Sequence, residues 1–268
     1  MPEILEVETA RVLIEDNALG RRITKVHAPD AWFLKRGLTP AAIRAALPGR
    51  RFTGARRRGK FLLVDTSGIG RSRTPGPVLG LHLGMSGRVL VDGEAAGDPL
   101  LYASNQPNTA WRRFGVGFHD GGSMWLRDPR RLGAVELDPD EERLGVDAFD
   151  VTSEQLGAMV AKSRAPLKAV LMNQARIAGL GNLLVDEVLW RAGLDPARRA
   201  DSLTTDDVRR LHRVIRQTLR TLRRRGGSHT GDLMVARVPG SSCPKDGAPM
   251  VRRTVAGRTT YSCAQHQH

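Results

Sequence analysis

Two groups of residues in this chain have types and spacing that suit chemistry. The first is Met1-Pro2-Glu3. With Met1 removed, which the small proline ring permits, Pro2 presents a secondary α-amine. An α-amine titrates near about 8, against ~10.4 for a lysine side chain, so at neutral pH far more of it is uncharged and nucleophilic. Condensing with an aldehyde carbon, a secondary amine gives a permanently cationic iminium, an electron sink that lets bonds further along the chain break. Glu3 beside it would supply and accept protons. The same residues also suit a plain helix start, since proline is at home in the first turn and glutamates at the positive end. The apolar set Leu5, Val12, Leu13 and Ile14 extends that helix to about Leu19.

The second group lies in the last 26 residues: Cys243 and Asp246 form one pair, Cys263 and His266 another, each with two residues between. This is the spacing of two hairpin knuckles around one tetrahedral zinc, with Asp246 an uncommon fourth ligand; a metal-free hairpin is the competing reading. Between the knuckles Arg258 falls at a turn, where it would grip a phosphate.

Composition points to the partner. Lysine and arginine number 42 against 28 acids, a net charge of +14 with arginine supplying most of the excess. Guanidinium forks match phosphate oxygens and release counterions, so a polyanion is expected. The sequence has no apolar run long enough to cross a membrane and no leader pattern, and reads as cytoplasmic. Two cysteines in such a compartment are not expected to form a disulfide.

The elements that must position these groups follow in order. Strands are expected at Arg22–His27, Arg51–Arg57, Phe61–Asp65, Val78–Leu83, Gly87–Val91, Val116–His119, Met124–Leu126 and Gly133–Leu137, with a short helix at Thr39–Leu47 and long loops at Gly68–Pro77 and Glu94–Thr109. Short, evenly spaced strands imply a sandwich or barrel-like sheet pair. Lys60, after Arg56-Arg57-Arg58, is either a solvated hairpin charge or part of a phosphate-facing edge. Met85 stands at the tip of a turn, either simply packed there or, as a flexible apolar side chain on a basic surface, fit to fill a gap in a base stack. Arg130, Arg131 and Leu132 form a second tip. Beyond an acidic stretch, helices are expected at Ser153–Lys162, Leu167–Asn173, Asn182–Ala192 and Thr205–Arg225. The last has an apolar stripe from Val208 to Leu222 and an arginine face. In Gly179-Leu180-Gly181-Asn182 the glycines would leave backbone N–H groups open to a phosphate at a helix start, with the Asn182 amide as an added donor.

Taken together, Met1-Pro2-Glu3 with Glu6-Val7-Glu8, Arg58-Gly59-Lys60, His82 to Gly87, Asp128 to Arg131, Ile177 to Asn182 and the terminal finger with Arg258 resemble, in order and over nearly the whole chain, the formamidopyrimidine-DNA glycosylase and endonuclease VIII (Fpg/Nei) family. The resemblance implies an α+β multidomain fold: an N-terminal two-layer β-sandwich flanked by helices (1–139), a helix-two-turn-helix domain (150–228) and a zinc-finger-like β-hairpin (229–268). It implies a monomer that binds damaged DNA, at the nucleoid and not at a membrane. Pro2 resembles the nucleophile and Glu3 its acid/base; Lys60, Asn182 and Arg258 resemble a phosphate clamp; Met85 and Arg130 resemble the residues that fill the emptied stack. Arg131 resembles a phosphate contact, and His82 belongs to the same DNA-binding set. Zinc is implied on Cys243, Asp246, Cys263 and His266. The implied reaction is glycosylase and abasic-site lyase action with β and δ elimination. Four departures stand out: Leu5 where proline is common, Leu132 where many members have a wedge phenylalanine, two non-cysteine ligands, and only 15 residues between Gly227 and Cys243. The short stretch favours oxidised pyrimidines or hydantoins over 8-oxoguanine. The alternative is a non-catalytic paralogue that keeps the clamp and has lost base excision.

Overall fold

Strand-length apolar alternations separated by glycine and proline become eight strands in two four-stranded antiparallel sheets. One sheet has the order β1 (Ile23–His27), β6 (Arg112–Phe118), β7 (Ser123–Arg127), β5 (Arg88–Val91); the other runs β2 (Phe52–Arg58), β3 (Phe61–Thr66), β4 (Leu79–His82), β8 (Ala134–Leu137). The computed structural model describes residues 2–70, 74–100 and 104–268, so Met1 and parts of the two expected loops, 71–73 and 101–103, lie outside the described residues. The chain divides into two compact units: Met1–Pro2 with Glu6–Glu141, and Glu3–Leu5 with Glu142–His268.

In the first unit the inward residues of both sheets, Ile23, Val26, Phe52, Leu62, Val64, Leu79, Leu81, Phe114, Val116, Met124 and Leu126 among them, form one core, closed by Val7, Ala10 and Ile14 of helix α1 (Ile4–Asn17) and by Ile43 of α2 (Pro40–Ala46). Thr39 caps α2, accepting the Ala42 N–H at 3.1 Å, with Pro40 in the first turn as its fixed φ favours. Strand β6 starts four residues earlier than expected. Its first residues, Arg112 and Arg113, are polar and half-buried, and sequence alternation does not show them as sheet.

The second unit is helical. α3 (Ser153–Ala161), α4 (Leu167–Met172), α5 (Asn182–Ala192) and α6 (Thr205–Arg225) surround a core that includes Ile4 and Leu5. Capping boxes start α3 at Thr152 with Gln155 and α6 at Thr204 with Asp207. The expected stripe of α6 is buried at Val208, Leu211, Ile215, Leu219 and Leu222, while Arg213, Arg216 and Arg220 are exposed. Leu5, where the resemblance leads one to expect proline, is a wholly buried core residue, so that departure serves packing. A short parallel pair, β9 (Val146–Asp147) with β10 (Ile177–Ala178), was not visible in the sequence. The terminal hairpin, β11 (Met250–Val255) with β12 (Arg258–Cys263), turns through Ala256 and Gly257 at φ of 50° and 72°, the double positive φ of a two-residue primed turn.

Candidate active site

Glu3 is completely buried at the start of α5. Its Oε2 accepts the N–H groups of Gly181 at 2.7 Å and Leu184 at 3.3 Å, and its Oε1 accepts Leu183 N–H at 2.8 Å. A helix N-terminus with its unpaired N–H groups is a natural anion site, and here the anion is the chain's own carboxylate. This corrects the expectation that the glycines clear a path for phosphate. A Cβ at Gly181 would fall 2.3 Å from the Glu3 carboxyl carbon, so the missing side chain admits Glu3. Pro2, next in the chain, is buried.

Asn182 opens α5, but its Nδ2 donates to the carbonyl of Thr259 at 3.1 Å. The expected phosphate donor is thus partly used in fastening the hairpin, although the backbone N–H of Asn182 has no bond partner among the described residues. Arg258, exposed at the hairpin tip, neighbours Thr259 in β12, so Asn182 and the Arg258 turn are brought together. Beneath them lies a network that sequence reading missed. Lys168 Nζ, wholly buried in α4, donates to Asp186 Oδ1 at 2.6 Å, to Thr260 Oγ1 at 2.8 Å and to Thr259 O at 3.3 Å. Arg237 pairs with the other Asp186 oxygen. Burial pulls the Lys168 amine below the ordinary lysine range, and the Asp186 carboxylate opposes that shift. A lysine inside the apolar run Leu167–Met172 was the signal available, because a buried cation requires a partner.

In the first unit the two tips meet over one buried carboxylate. Asp128 Oδ1 accepts the Ser86 hydroxyl and Arg130 N–H at 3.1 Å; Oδ2 accepts Leu132 and Gly133 N–H, both at 2.8 Å. Gly84, at φ 59°, lies so close to the Leu132 and Gly133 backbone that a Cβ would come within 2.5 Å of it. Met85, half-buried, and the exposed Arg130 are therefore held side by side, and Leu132 is 50% exposed beside them. Arg131 is not loose: its guanidinium forks onto Asp30 with two bonds of 2.7 Å, which hold the Asp30 carboxyl below its ordinary range. His82 Nδ1 accepts Gly84 N–H at 3.1 Å, which leaves the ring proton on Nε2 and makes His82 part of the turn's support. Asp128, ahead of Pro129 in a turn, carries the side-chain capping signal that reveals such a residue.

Lys60 is half-buried at the β2–β3 tip. The arginines before it do not form an open phosphate edge: Arg56 bonds Asp65 at 3.2 Å and Glu141 at 2.6 Å, and Arg57 bonds Glu8 at 3.1 Å. Lys60 belongs to the first unit, Asn182 and Arg258 to the second.

The four expected ligands converge, with their donor atoms all within 4.8 Å of one another. Cys243 Sγ is 3.6 Å from His266 Nδ1, Cys263 Sγ 3.3 Å from Asp246 Oδ2, and His266 Nδ1 2.7 Å from Asp246 Oδ2. Tetrahedral zinc spaces such atoms about 3.3–3.8 Å apart, which the two sulfur distances match, while the hydrogen-bonded His266–Asp246 pair must part by about half an ångström to admit a metal. The outer contacts fit as well. Trp190 Nε1 donates to Cys243 Sγ at 3.2 Å, and His266 Nε2 faces the Trp190 carbonyl at 3.1 Å, which leaves Nδ1 for a metal. The Ala248 N–H, with His266, holds the Asp246 carboxyl below its ordinary range, whereas burial pushes the Cys263 thiol up. The residues present suit a divalent metal.

Residues 228–242 fold as short turns fastened to α5. Glu187 accepts Asp232 and Leu233 N–H at 3.0 and 2.8 Å, and Arg237 reaches Asp186.

Residues 1–135 match the formamidopyrimidine-DNA glycosylase N-terminal domain and residues 143–232 the formamidopyrimidine-DNA glycosylase H2TH domain. The chain is 35% identical to the formamidopyrimidine-DNA glycosylase of Paracoccus denitrificans over 98% of both chains. With that of Symbiobacterium thermophilum it shares 34% identity over 100% of this chain and 89% of the relative. A solved complex of Lactococcus lactis Fpg with DNA containing an abasic site covers both chains fully, with 25% identity and a TM-score of 0.81. Another, of LlFpg with THF-DNA and an inhibitor, gives 26% and 0.82 over the same full length. With two domain matches in order and relatives matched end to end, this chain belongs to the formamidopyrimidine-DNA glycosylase family.

Proposed function

We propose that the protein is a DNA glycosylase for oxidised bases that also cleaves abasic sites through the Pro2 amine. The observation that carries this reading is the fixed Glu3 carboxylate, held by three backbone N–H groups beside Pro2. A carboxylate so buried and so positioned has no structural need to adjoin an α-amine, whereas a proton-transfer partner does. The Pro2 nitrogen forms a bond to C1′ as the C1′–base bond breaks and the base leaves with a proton. Glu3 protonates the ring oxygen as the sugar opens, giving the iminium. Loss of a C2′ proton then expels the 3′ phosphate, and a second elimination expels the 5′ phosphate, leaving a one-nucleotide gap.

Met85 and Arg130, braced by Asp128, fill the vacated stack, and Lys60, Asn182 and Arg258 hold flanking phosphates, working as a monomer. Cys243, Asp246, Cys263 and His266 would hold zinc, and a metal there would fix the hairpin that presents Arg258. The fastened, short 228–242 segment supports oxidised pyrimidines or hydantoins as preferred bases over 8-oxoguanine. Borohydride trapping on an abasic duplex tests the reading. A covalent adduct is expected with mature protein and none when a tag blocks Pro2; an undiminished adduct with the blocked protein would remove Pro2 as nucleophile.

A further inference from the structure

The outer face of the β1-β6-β7-β5 sheet carries a groove that the proposed reaction does not use. Register sets His27 opposite Gly115 and Gly115 opposite Trp125, so one row across three strands reads imidazole, no side chain, indole. The indole lies down over the glycine: a Cβ at Gly115 would fall 2.4 Å from the Trp125 ring. Such a glycine in a strand marks a close approach over the backbone. Trp125 is fixed in this pose by its Nε1 bond to Ser123 at 3.1 Å. His27 tilts against the indole at 4.9 Å between ring centres, and the Arg112 guanidinium stands 4.8 Å from the indole centre. Lys25, Arg44 and Thr109 complete a groove of about 460 Å³.

The charge there has one sign. Lys25, Arg44 and Arg112 have no carboxylate partner among the described residues, and no acid lines the groove. Several guanidinium groups elsewhere on this unit are matched by carboxylates, Arg21 with Asp92 and Asp120, Arg56 with Asp65 and Glu141, and Arg131 with Asp30, whereas the groove gathers three unmatched cations around one aromatic ring. Burial and the three cations push the His27 imidazole toward its neutral form. A planar aromatic platform edged by unmatched cations is complementary to a ligand with a flat ring and a negative group.

We propose that this groove is a second nucleotide site, which takes a nucleoside phosphate with its base stacked on the Trp125–Arg112 pair and its phosphate held by Lys25 and Arg44. The nucleoside phosphate is either a free nucleotide or one unit of a DNA single strand. The site is independent of the Pro2 chemistry.

The test uses the full chain saturated with a tetrahydrofuran-containing duplex, which occupies the proposed active site. Labelled (dT)4, dTMP and inorganic pyrophosphate are then titrated. One further equivalent of (dT)4 or dTMP is expected, weakened at least fivefold in each of Lys25→Ala and Arg112→Ala and roughly tenfold in Trp125→Leu. Tighter binding of (dT)4 than of dTMP identifies a strand; equal binding identifies a free nucleotide. Lys25 is exposed, so its variant tests the site even if Trp125→Leu fails to fold. No further equivalent, or one equally tight in every variant, overturns the proposal. So does pyrophosphate binding as tightly as both nucleotides. Borohydride trapping run alongside separates the two readings, because loss of the adduct with groove binding intact would count against the Pro2 reaction alone.

Discussion

Each unit is organised by a wholly buried carboxylate that collects backbone N–H groups, and the two differ in what the collection is for. Asp128 takes N–H groups from Arg130, Leu132 and Gly133 and the Ser86 hydroxyl, all in the two tips it joins. Glu3 takes Gly181, Leu183 and Leu184 N–H at the head of a helix, and it adjoins the candidate nucleophile. The same bonding pattern serves as a brace in one place and, on our reading, as a held reagent in the other. A buried carboxylate alone therefore does not announce catalysis. What distinguishes Glu3 is the reactive group beside it.

The comparison is most exposed to Glu3→Gln. Base excision should fall about 10²–10⁴-fold, the usual worth of a general acid, with smaller loss on a pre-formed abasic site whose aldehyde is already partly open. Equal loss on both substrates, measured by gel assay, would reduce Glu3 to a brace like Asp128. Next comes Gly181→Ala. Its added Cβ must push the carboxylate aside, since the Gly181 backbone at φ −123° accepts any residue. Excision should drop at least tenfold in the native background and not at all in Glu3→Gln. Additive losses in the double variant would break the link.

Asp128→Asn should behave differently. An amide nitrogen cannot accept, so donors among Leu132 and Gly133 lose their partner at about 1–3 kcal/mol each. Thermal stability and lesion binding should fall together, while turnover of saturated enzyme changes little. The smallest effects are expected at the hairpin. Arg258→Ala should lower the salt slope of DNA binding by roughly one counterion, and Asn182→Ala by less. Chelation should reproduce the Arg258→Ala loss, with elemental analysis confirming that metal has left.

Some of this was legible in the chain. The two Cys-x-x-ligand pairs, the α6 stripe and the tight turns are local patterns, and a local pattern fixes backbone conformation wherever the rest of the chain lies. The order of motifs gave the family. Partners were not legible, because pairing depends on which groups lose water together. The Gly181 N–H that holds Glu3 is 178 residues away, and the Thr260 hydroxyl that holds Lys168 is 92 away. Three consecutive arginines read as an open cationic edge, yet Glu8, Asp65 and Glu141, brought in by packing, claim two of them. The glycine before Asn182 looked like room for a phosphate, and only the tertiary structure gave that room to Glu3. Sequence by itself determined the kinds of groups present and their local geometry. Tertiary structure decided which charges are spent inside the fold and which remain for a ligand, because a buried ion must be matched wherever in the chain its partner lies.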